Sequence, residues 1–438
     1  MANGGRFDLM TEEPQALSAA RALFNSTVAP ALAAQLGPFT PASGSHSKRF
    51  TYFEDETRFV VVSGEQEEAA VDLALAYGLT YCGQRKLVLL LPERYAFPTL
   101  QRAPWFQPNL QPEVWLHDGA ACSQAPVFSQ DDTVRHLAER LKEGQTVEEE
   151  LHQATKPRHL GGRSRTVAEL VEWATRTPVL DGGHRRGERA WHCMGQKVLS
   201  IQGSAHDGLR IRAGIHTVKP GAEPLEVGLK RDEEMTPDRM NAIQEATMGG
   251  TRERLLPDGK YHSQDEHWLQ AVIRRDPSLV GIEQPAIREL PAWRPSGATS
   301  ELGNRNWGRG YIDLVGVDGH GDLRLVETKI AGNTDDLFVL QGLDYYVWAI
   351  AYRKVLIQKL GAAKAAELEI HYVVGDTLDG QIHLSHFAPA QARGLDPVIR
   401  WRFQTVHEWF GDPGDPCTAR TNLLPTGDLP GSGPPELR

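Results

Sequence analysis

The chain has little cysteine and lacks any long apolar run. Four of its 438 residues are cysteine, and none has the CxxC spacing of zinc and redox sites: Cys82, Cys122, Cys193 and Cys417. This usage predicts reduced thiols and argues against a disulfide framework. No stretch approaches the roughly 18 consecutive apolar residues of a membrane span, and the first residues, MANGGRFDLMTEEPQAL, lack the basic start and apolar core of a secretion signal. We therefore expect a cytoplasmic protein that does not enter a membrane.

The chain also lacks the excess of positive charge that is usual in proteins that bind nucleic acid without sequence preference. Its 57 acidic residues outnumber its 47 basic residues, which gives a net charge of −10. This balance counts mildly against a nucleic-acid partner. It does not exclude one, because an enzyme can carry a local basic surface and because acidic residues that hold a metal add negative charge. The length predicts two or three domains.

The sequence shows no internal repeat and no long low-complexity tract, so its organisation has to be inferred from hydrophobic periodicity. Two apolar runs, RFVVVSG from Arg58 and KLVLLLPE from Lys86, flank a segment with helical spacing. Continuous apolar strands that alternate with helices are typical of a parallel α/β unit. We therefore predict an N-terminal α/β domain over residues 1–130, for which no family is recognised.

Three further regions follow this domain. Residues 131–250 combine helical segments with a β-hairpin, and a polar stretch before residue 250 marks a predicted boundary. Residues 251–410 predict the element order α-β-β-β-α-β, beginning with a helix that Ser263 would cap and Pro277 would end. The tail, residues 411–438, is rich in proline and glycine and is predicted to be disordered. The predicted fold class is therefore α/β, with a mixed sheet in the C-terminal domain.

The most informative stretch is GYIDLVGVDGHGDLRLVETKI, residues 310–330. Two short apolar runs flank the turn DGHGD, which predicts a β-hairpin. Because strand side chains alternate between faces, Glu327 and Lys329 share one face. The hairpin brings the beginning of the first strand, which carries Asp313, beside the end of the second. Burying charge is costly unless the charges are paired or bind a metal, so this stretch predicts a charged site.

Two carboxylates that converge at one end of a sheet form a hard oxygen site suited to Mg²⁺ or Mn²⁺. Such an ion lowers the pKa of its water and polarises a phosphodiester. An adjacent lysine can orient or deprotonate the attacking water. Gln341 and Tyr345 are four residues apart on the long helix that follows, so they share a face. Glu266, on the helix before the sheet, is a candidate third carboxylate.

These residues resemble the PD-(D/E)XK nuclease superfamily, which includes restriction endonucleases and many repair and recombination nucleases. The resemblance covers about residues 264–410 and rests on GYIDLVGVDGHGDLRLVETK, with QGLDYY on the following helix. Asp313 corresponds to the first acid of the family, and Glu327 and Lys329 correspond to its second acid and lysine. Ile312 stands where the family name has proline, as is common in this family.

The resemblance implies a restriction-endonuclease-like fold and a role for each matching residue. The implied ligands of Mg²⁺ or Mn²⁺ are Asp313, Glu327, the backbone carbonyl of Thr328 and, for a second ion, Glu266. Lys329 would position or activate the water, and Gln341 would assist it. The resemblance does not extend to residues 1–250, which would form a recognition or regulatory module.

The implied function is that of a metal-dependent nuclease that hydrolyses phosphodiester bonds in double-stranded DNA. A restriction or anti-phage defence effector and a DNA-repair nuclease both suit this organisation, and RNA is an alternative substrate. Cutting both strands needs two sites, so the resemblance also implies a homodimer. A defence role would add partner proteins of the same system.

Arginines in glycine-flanked loops are candidate phosphate contacts, because a guanidinium pairs with phosphate in a bidentate manner. The predicted nucleic-acid contacts are Arg163, Arg165, Arg185, Arg186 and Tyr345. The alternative for the arginines is that they are simply solvated, and the alternative for Tyr345 is packing, which is favoured.

Two interpretations of the hairpin without catalysis stay open. Asp313 and Lys329 could form a structural ion pair without catalysis. The domain could also be a catalytically inactive nuclease fold that binds nucleic acid or senses a ligand. A second (D/E)xK triplet, Asp258-Gly259-Lys260, lies in the turn sequence LPDGK with no apolar strand, and we reject it as a site.

Overall fold

The computed structural model describes residues 9–44, 46–139, 148–149, 152, 164–185, 188–204, 208–216, 223–231, 233–293, 309–331, 335–382, 384–410 and 419–424. They form a mixed α/β protein with three β-sheets, which confirms the predicted class at this level. Within these ranges, no helix is long and apolar enough to cross a membrane.

The first sheet has six strands, and its spatial order follows the sequence order. The strands are β1 (Thr40–Pro41), β2 (Thr51–Glu54), β3 (Arg58–Val62), β4 (Lys86–Pro92), β5 (Glu113–His117) and β6 (Cys122–Gln124). Its helices are α1 (Leu9–Leu23), α2 (Ala29–Leu36), α3 (Asp72–Tyr81) and α4 (Phe97–Arg102). β3 is parallel to β4, and β4 is parallel to β5, as the two apolar runs predict.

The second sheet has five antiparallel strands and is flanked by three helices along the chain. The helices are α5 (Gln130–Ala138), α6 (Arg165–Arg176) and α7 (Pro237–Leu255), and the strands are β7 (Asp181–Arg185), β8 (Glu188–Cys193), β9 (Gln196–Ser204), β10 (Gly208–Ala213) and β11 (Leu225–Leu229). The predicted hairpin is therefore part of a larger antiparallel sheet.

The third sheet has six strands, again in sequence order. Its strands are β12 (Glu283–Trp293), β13 (Arg309–Val317), β14 (Leu323–Ile330), β15 (Leu368–Gly375), β16 (Arg400–His407) and β17 (Arg420–Leu424). Its helices are α8 (Glu266–Arg275), α9 (Phe338–Ala351), α10 (Arg353–Leu360) and α11 (Ala388–Gly394). The β13–β14 pair is antiparallel, and β14, β15 and β16 run parallel.

The third sheet is buried on both faces. Val326 and Val373 point to one face, where they pack with α8 and with apolar residues of the second sheet. Leu325 and Ile370 point to the other, where they pack with α9 and with the helices of the first sheet. β14, at the centre of this sheet, contributes Leu323, Leu325 and Val326 to the two cores, and its carboxyl end is charged.

A buried ion pair joins the first and third sheets. The Arg102 guanidinium on α4 donates two hydrogen bonds of 2.7 Å to the Asp344 carboxylate on α9. Its remaining nitrogen, Nη1, lies 2.7 Å from Asp72 Oδ1. Asp344 is fully buried, so this carboxylate depends on Arg102 for its compensating charge.

Three sequence predictions need correction. The predicted boundary near residue 250 is wrong, because it falls inside α7. The buried face of this helix contains Thr247, Gly250 and Thr251, so its period is not visible as an apolar stripe. The N-cap of α8 is Asp265, whose side chain accepts from the Trp268 amide, and not Ser263.

The third correction concerns the tail. Arg420–Leu424 forms β17, which pairs antiparallel with β16, so predicted disorder is wrong for this segment. Pairing with β16 at the edge of the sheet supplies backbone hydrogen bonds to this segment. The amino-acid composition of the tail gives no indication of that pairing. Residues 411–418 and 425–438 lie outside the described residues.

We predict that Arg102→Ala will destabilise the protein by about 3–5 kcal/mol, because it leaves the buried Asp344 carboxylate without its counter-charge. Urea titration would measure the change in the free energy of unfolding. Arg135→Ala is the matched control, because Arg135 pairs with Asp132 on the surface and should change stability little. Equal, small effects of both variants would contradict the role given to the buried pair.

Candidate active site

The β13–β14 hairpin brings the predicted acids together at the end of a buried strand. Leu314 pairs with Val326 as the last pair of the antiparallel ladder. Asp313 and Glu327 are the next residues outward on the two strands, so they meet at the carboxyl end of β14. The turn between the strands is closed by a hydrogen bond from the Asp318 amide to the Asp322 carbonyl, where DGHGD predicts it.

Asp313 is held by the backbone and side chain of Thr328. Its Oδ2 accepts hydrogen bonds from the Thr328 amide, at 2.7 Å, and from Thr328 Oγ1, at 2.6 Å. Both of these hydrogen bonds reach the same carboxylate oxygen. Burial raises the pKa of Asp313, and the Lys329 charge and these hydrogen bonds oppose that rise.

Lys329 lies between two glutamates that come from different elements. Its Nζ is 3.3 Å from Glu327 Oε1 on the same strand and 3.3 Å from Glu266 Oε1 in the first turn of α8. The ammonium also lies 5.7 Å from the centre of the Phe338 ring on α9. The structure therefore unites Asp313, Glu327, Lys329 and Glu266, as the sequence predicts.

The charges of this cluster do not balance. Three carboxylates at −1 and one ammonium at +1 leave −2 when all are ionised. Burial alone would lower the pKa of Lys329, but the carboxylates of Glu327, Glu266 and Asp313 outweigh it and hold that pKa above its ordinary value. Burial raises the pKa of Glu266, and Asp313 adds to the rise. These four groups thus carry more negative than positive charge when all are ionised.

Gln270 is a member of the site that the sequence analysis missed. It is buried on α8, and its Nε2 donates a 3.1 Å hydrogen bond to Thr328 Oγ1, which donates onward to Asp313. His267 Nδ1 lies 3.4 Å from Gln270 Oε1. The four-residue spacing from Glu266 to Gln270, which places both on one helix face, is the signal that could have identified it.

Asp265 and Arg254 fix the beginning of α8, where Glu266 lies. Arg254 is buried, and its Nη2 donates to Asp265 Oδ1 at 3.0 Å and to the Met194 carbonyl, in the β8–β9 turn, at 2.8 Å. The guanidinium also lies over the Trp268 ring, 5.1 Å from its centre. The position of Glu266 is therefore tied to the second sheet.

Gln341 contacts Asp335 and is connected to Lys329 through that acid. Its Nε2 donates a 3.1 Å hydrogen bond to Asp335 Oδ2, and Asp335 helps to raise the pKa of Lys329. Tyr345 is 3% exposed and packs in the core between the first and third sheets. The structure thus places Tyr345 in packing, the alternative for this residue, and its predicted contact with nucleic acid stays a prediction.

The structure gives little support to an arginine surface. Arg165 is exposed and pairs with Glu169, with 3.1 Å between its Nε and Oε1, on the same helix. Arg185 ends β7, and Arg163 and Arg186 lie outside the described residues. The predicted phosphate contacts of these arginines stay predictions.

The donor set suits a hard divalent cation. Carboxylates of Asp313, Glu327 and Glu266 and the Thr328 carbonyl are oxygen ligands of the kind that Mg²⁺ and Mn²⁺ prefer, and the net charge of −2 matches such an ion. In the part of the chain that the structure describes, no three His, Cys, Asp or Glu side chains are already arranged to hold a metal. Here Lys329 and Thr328 occupy oxygens of these carboxylates.

Comparisons of the chain with models of protein families, with curated proteins and with solved structures give no match. The function has to be argued from the geometry and chemistry of the site itself.

We predict that Glu266→Gln will change how stability depends on pH. Because burial raises the pKa of Glu266, the folded chain holds this proton more tightly than the unfolded chain does. The group therefore stabilises the fold at low pH and loses that contribution as the pH rises from its ordinary pKa of 4.5 to the raised value. Urea titrations across this window should show wild-type stability falling relative to the variant.

The matched control for this experiment is Glu226→Gln. A hydrogen bond from Arg210 lowers the pKa of Glu226, so its contribution is present above pH 4.5 and is lost as the pH falls. Parallel pH curves for wild type and Glu266→Gln would contradict a raised pKa of Glu266 in the folded chain.

Proposed function

We propose that the chain is a metal-dependent nuclease that hydrolyses phosphodiester bonds, with DNA as its substrate. The observation that carries the proposal is the position of Lys329, 3.3 Å from both Glu266 and Glu327, beside the buried carboxylate of Asp313. These four groups sum to −2 when all are ionised. A buried excess of negative charge is costly unless a cation compensates it. A divalent ion beside a lysine is one arrangement that can hydrolyse a phosphodiester, because the ion activates water and the lysine stabilises charge on the phosphate.

The arrangement of elements around the site supports a restriction-endonuclease-like fold. The order α8-β12-β13-β14-α9-α10-β15 is α-β-β-β-α-β when the consecutive helices α9 and α10 count as one helical connection. α8 and α9 cover opposite faces of the third sheet. Ligands of open α/β sheets bind at the carboxyl ends of the parallel strands, which is where β14 presents its acids.

The residues of the site would divide the work. Asp313, Glu327, the Thr328 carbonyl and Glu266 would hold Mg²⁺ or Mn²⁺. Such an ion, when bound, lowers the pKa of a water and polarises the phosphodiester. Released from Glu266, the Lys329 ammonium would orient the attacking water and stabilise charge on the phosphate. Gln270 would keep Thr328 Oγ1 turned towards Asp313.

A second candidate function is binding of nucleic acid or a ligand without cleavage. The observation that favours it is that Lys329 already pairs with two acids and that Thr328 satisfies Asp313 Oδ2. These contacts would suffice for a structural network. They leave the excess of negative charge unexplained, which is why we prefer hydrolysis.

The biological setting rests on the resemblance alone. A nuclease domain joined to a large N-terminal region suits an effector of restriction, anti-phage defence or DNA repair. Double-stranded DNA is the proposed partner, with RNA as the alternative substrate and proteins of a defence system as further partners.

We predict that Lys329→Ala will lower metal-dependent cleavage of plasmid DNA by about a hundredfold or more, because it removes a preorganised charge at the phosphate. Purified full-length chain would be incubated with plasmid, or with RNA, and Mg²⁺, Mn²⁺ or EDTA. Lys260→Ala is the matched control, since it changes the lysine of the rejected triplet in an exposed turn. Binding without cleavage under every metal would establish the second candidate instead.

A further inference from the structure

The first and third sheets have the same topology, although the sequence shows no repeat. Each has six strands in sequence order. In each, the first two pairs are antiparallel, the next two are parallel and the last is antiparallel. A shared strand order with five matching pair directions points to two related halves of one chain.

The central hairpins of the two halves correspond residue by residue. The β2–β3 ladder has four pairs, from Thr51–Val62 to Glu54–Phe59, and the β13–β14 ladder also has four, from Leu314–Val326 to Val317–Leu323. The matched positions point to matched faces. Val62 and Val326 pack with the helix that precedes each sheet, and Val61 and Leu325 pack towards the other half.

The helices correspond as well. α2 precedes the first sheet and covers its outer face with Ala29 and Leu32, as α8 covers the outer face of the third. α3 and α9 each connect the third strand of a half to its fourth, and α4 and α11 each connect the fourth to the fifth. All four of these helices lie in the core that the two halves share.

The halves meet at equivalent segments, as two subunits of a symmetric dimer do. Phe106, just after α4 and its following turn, forms an isolated antiparallel bridge with Leu395, just after α11. The Gln107 amide donates to the Gly394 carbonyl at 2.9 Å, and the Asp396 amide donates to the Trp105 carbonyl at 2.8 Å. Reciprocal contacts between corresponding positions are the mark of an isologous interface.

Only one half carries the acids and the lysine. Counted from the last pair of each ladder, Phe50 stands in the place of Asp313, Ser63 in that of Glu327 and Glu65 in that of Lys329. Phe50 is buried in the shared core. The first half therefore keeps the scaffold of the third sheet without its charged site.

We propose that the first half takes the place of a second nuclease subunit, and that the chain acts as a monomer that nicks one strand of duplex DNA. This inference rests on the proposed function. The first half covers one face of the third sheet and the second sheet covers the other, so neither face is open to a second copy. One site then adds one water across one bond: the water oxygen bonds to phosphorus, the bond to one sugar oxygen breaks, and that oxygen takes up a proton.

The test follows the products of a negatively supercoiled plasmid with Mg²⁺ or Mn²⁺, while light scattering measures the mass of the full-length protein. We expect a single-chain mass, and conversion of supercoiled to nicked circles before linear DNA accumulates. The initial rate should be proportional to protein concentration. Glu65→Gln, at the position that matches Lys329, should leave the nicking rate unchanged, whereas Lys329→Ala should abolish it.

A mixture of wild type with excess Lys329→Ala separates the alternatives further. If a chain acts alone, the mixture still yields nicked circles, and the variant only competes for DNA. A two-chain mass would overturn the inference while leaving the proposed nuclease intact. The same holds if wild type alone forms linear DNA from the earliest times and the mixture with excess variant forms nicked circles instead. A lack of cleavage with every metal would overturn the proposed function, and nicking with it.

Discussion

The constraint on which the structure depends is the burial of charge at the end of an apolar strand. β14 buries Leu323, Leu325 and Val326 on its two faces, and its next residues are Glu327, Thr328 and Lys329. Such a sequence can fold only where neighbouring elements supply partners for each charge. Asp313 from β13 and Glu266 from α8 meet this need around Lys329. The excess of negative charge that remains is the physical basis for proposing a divalent cation.

Buried arginines that pair with carboxylates also connect the three sheets. Arg102 compensates Asp344 between the first and third sheets, and Arg254 connects the N-cap of α8 to the second sheet. The third sheet, which carries the site, is therefore held from both sides. The residue next to Glu266 is thus bonded through Arg254 to the second sheet, and α9 is bonded through Asp344 to Arg102 beside the first sheet.

Local sequence signals predicted the parts of the site that lie close along the chain. Asp313 and Thr328 are 15 residues apart and are joined by one turn, so the alternation of a strand and the turn DGHGD were enough to bring them together. Contacts with α8 span 58 residues from Gln270 to Thr328 and 63 from Glu266 to Lys329. Of these, Glu266 was a candidate from its place on the helix before the sheet, and Gln270 had no signal beyond its spacing from Glu266. The burial of Tyr345 agrees with packing, the favoured alternative for this residue.

By itself, the sequence determined the α/β class, the hairpin and the four charged residues, because periodicity, turns and charge placement are local properties of a chain. Only the tertiary structure decided that α7 runs through residue 250, that Arg420–Leu424 joins the third sheet, and that two sheets share one topology. These features depend on pairing and packing between distant segments. The two sheets share a strand order although their side chains differ, since Phe50 stands in the first sheet where Asp313 stands in the third. The shared topology is therefore not visible as a repeat in the sequence.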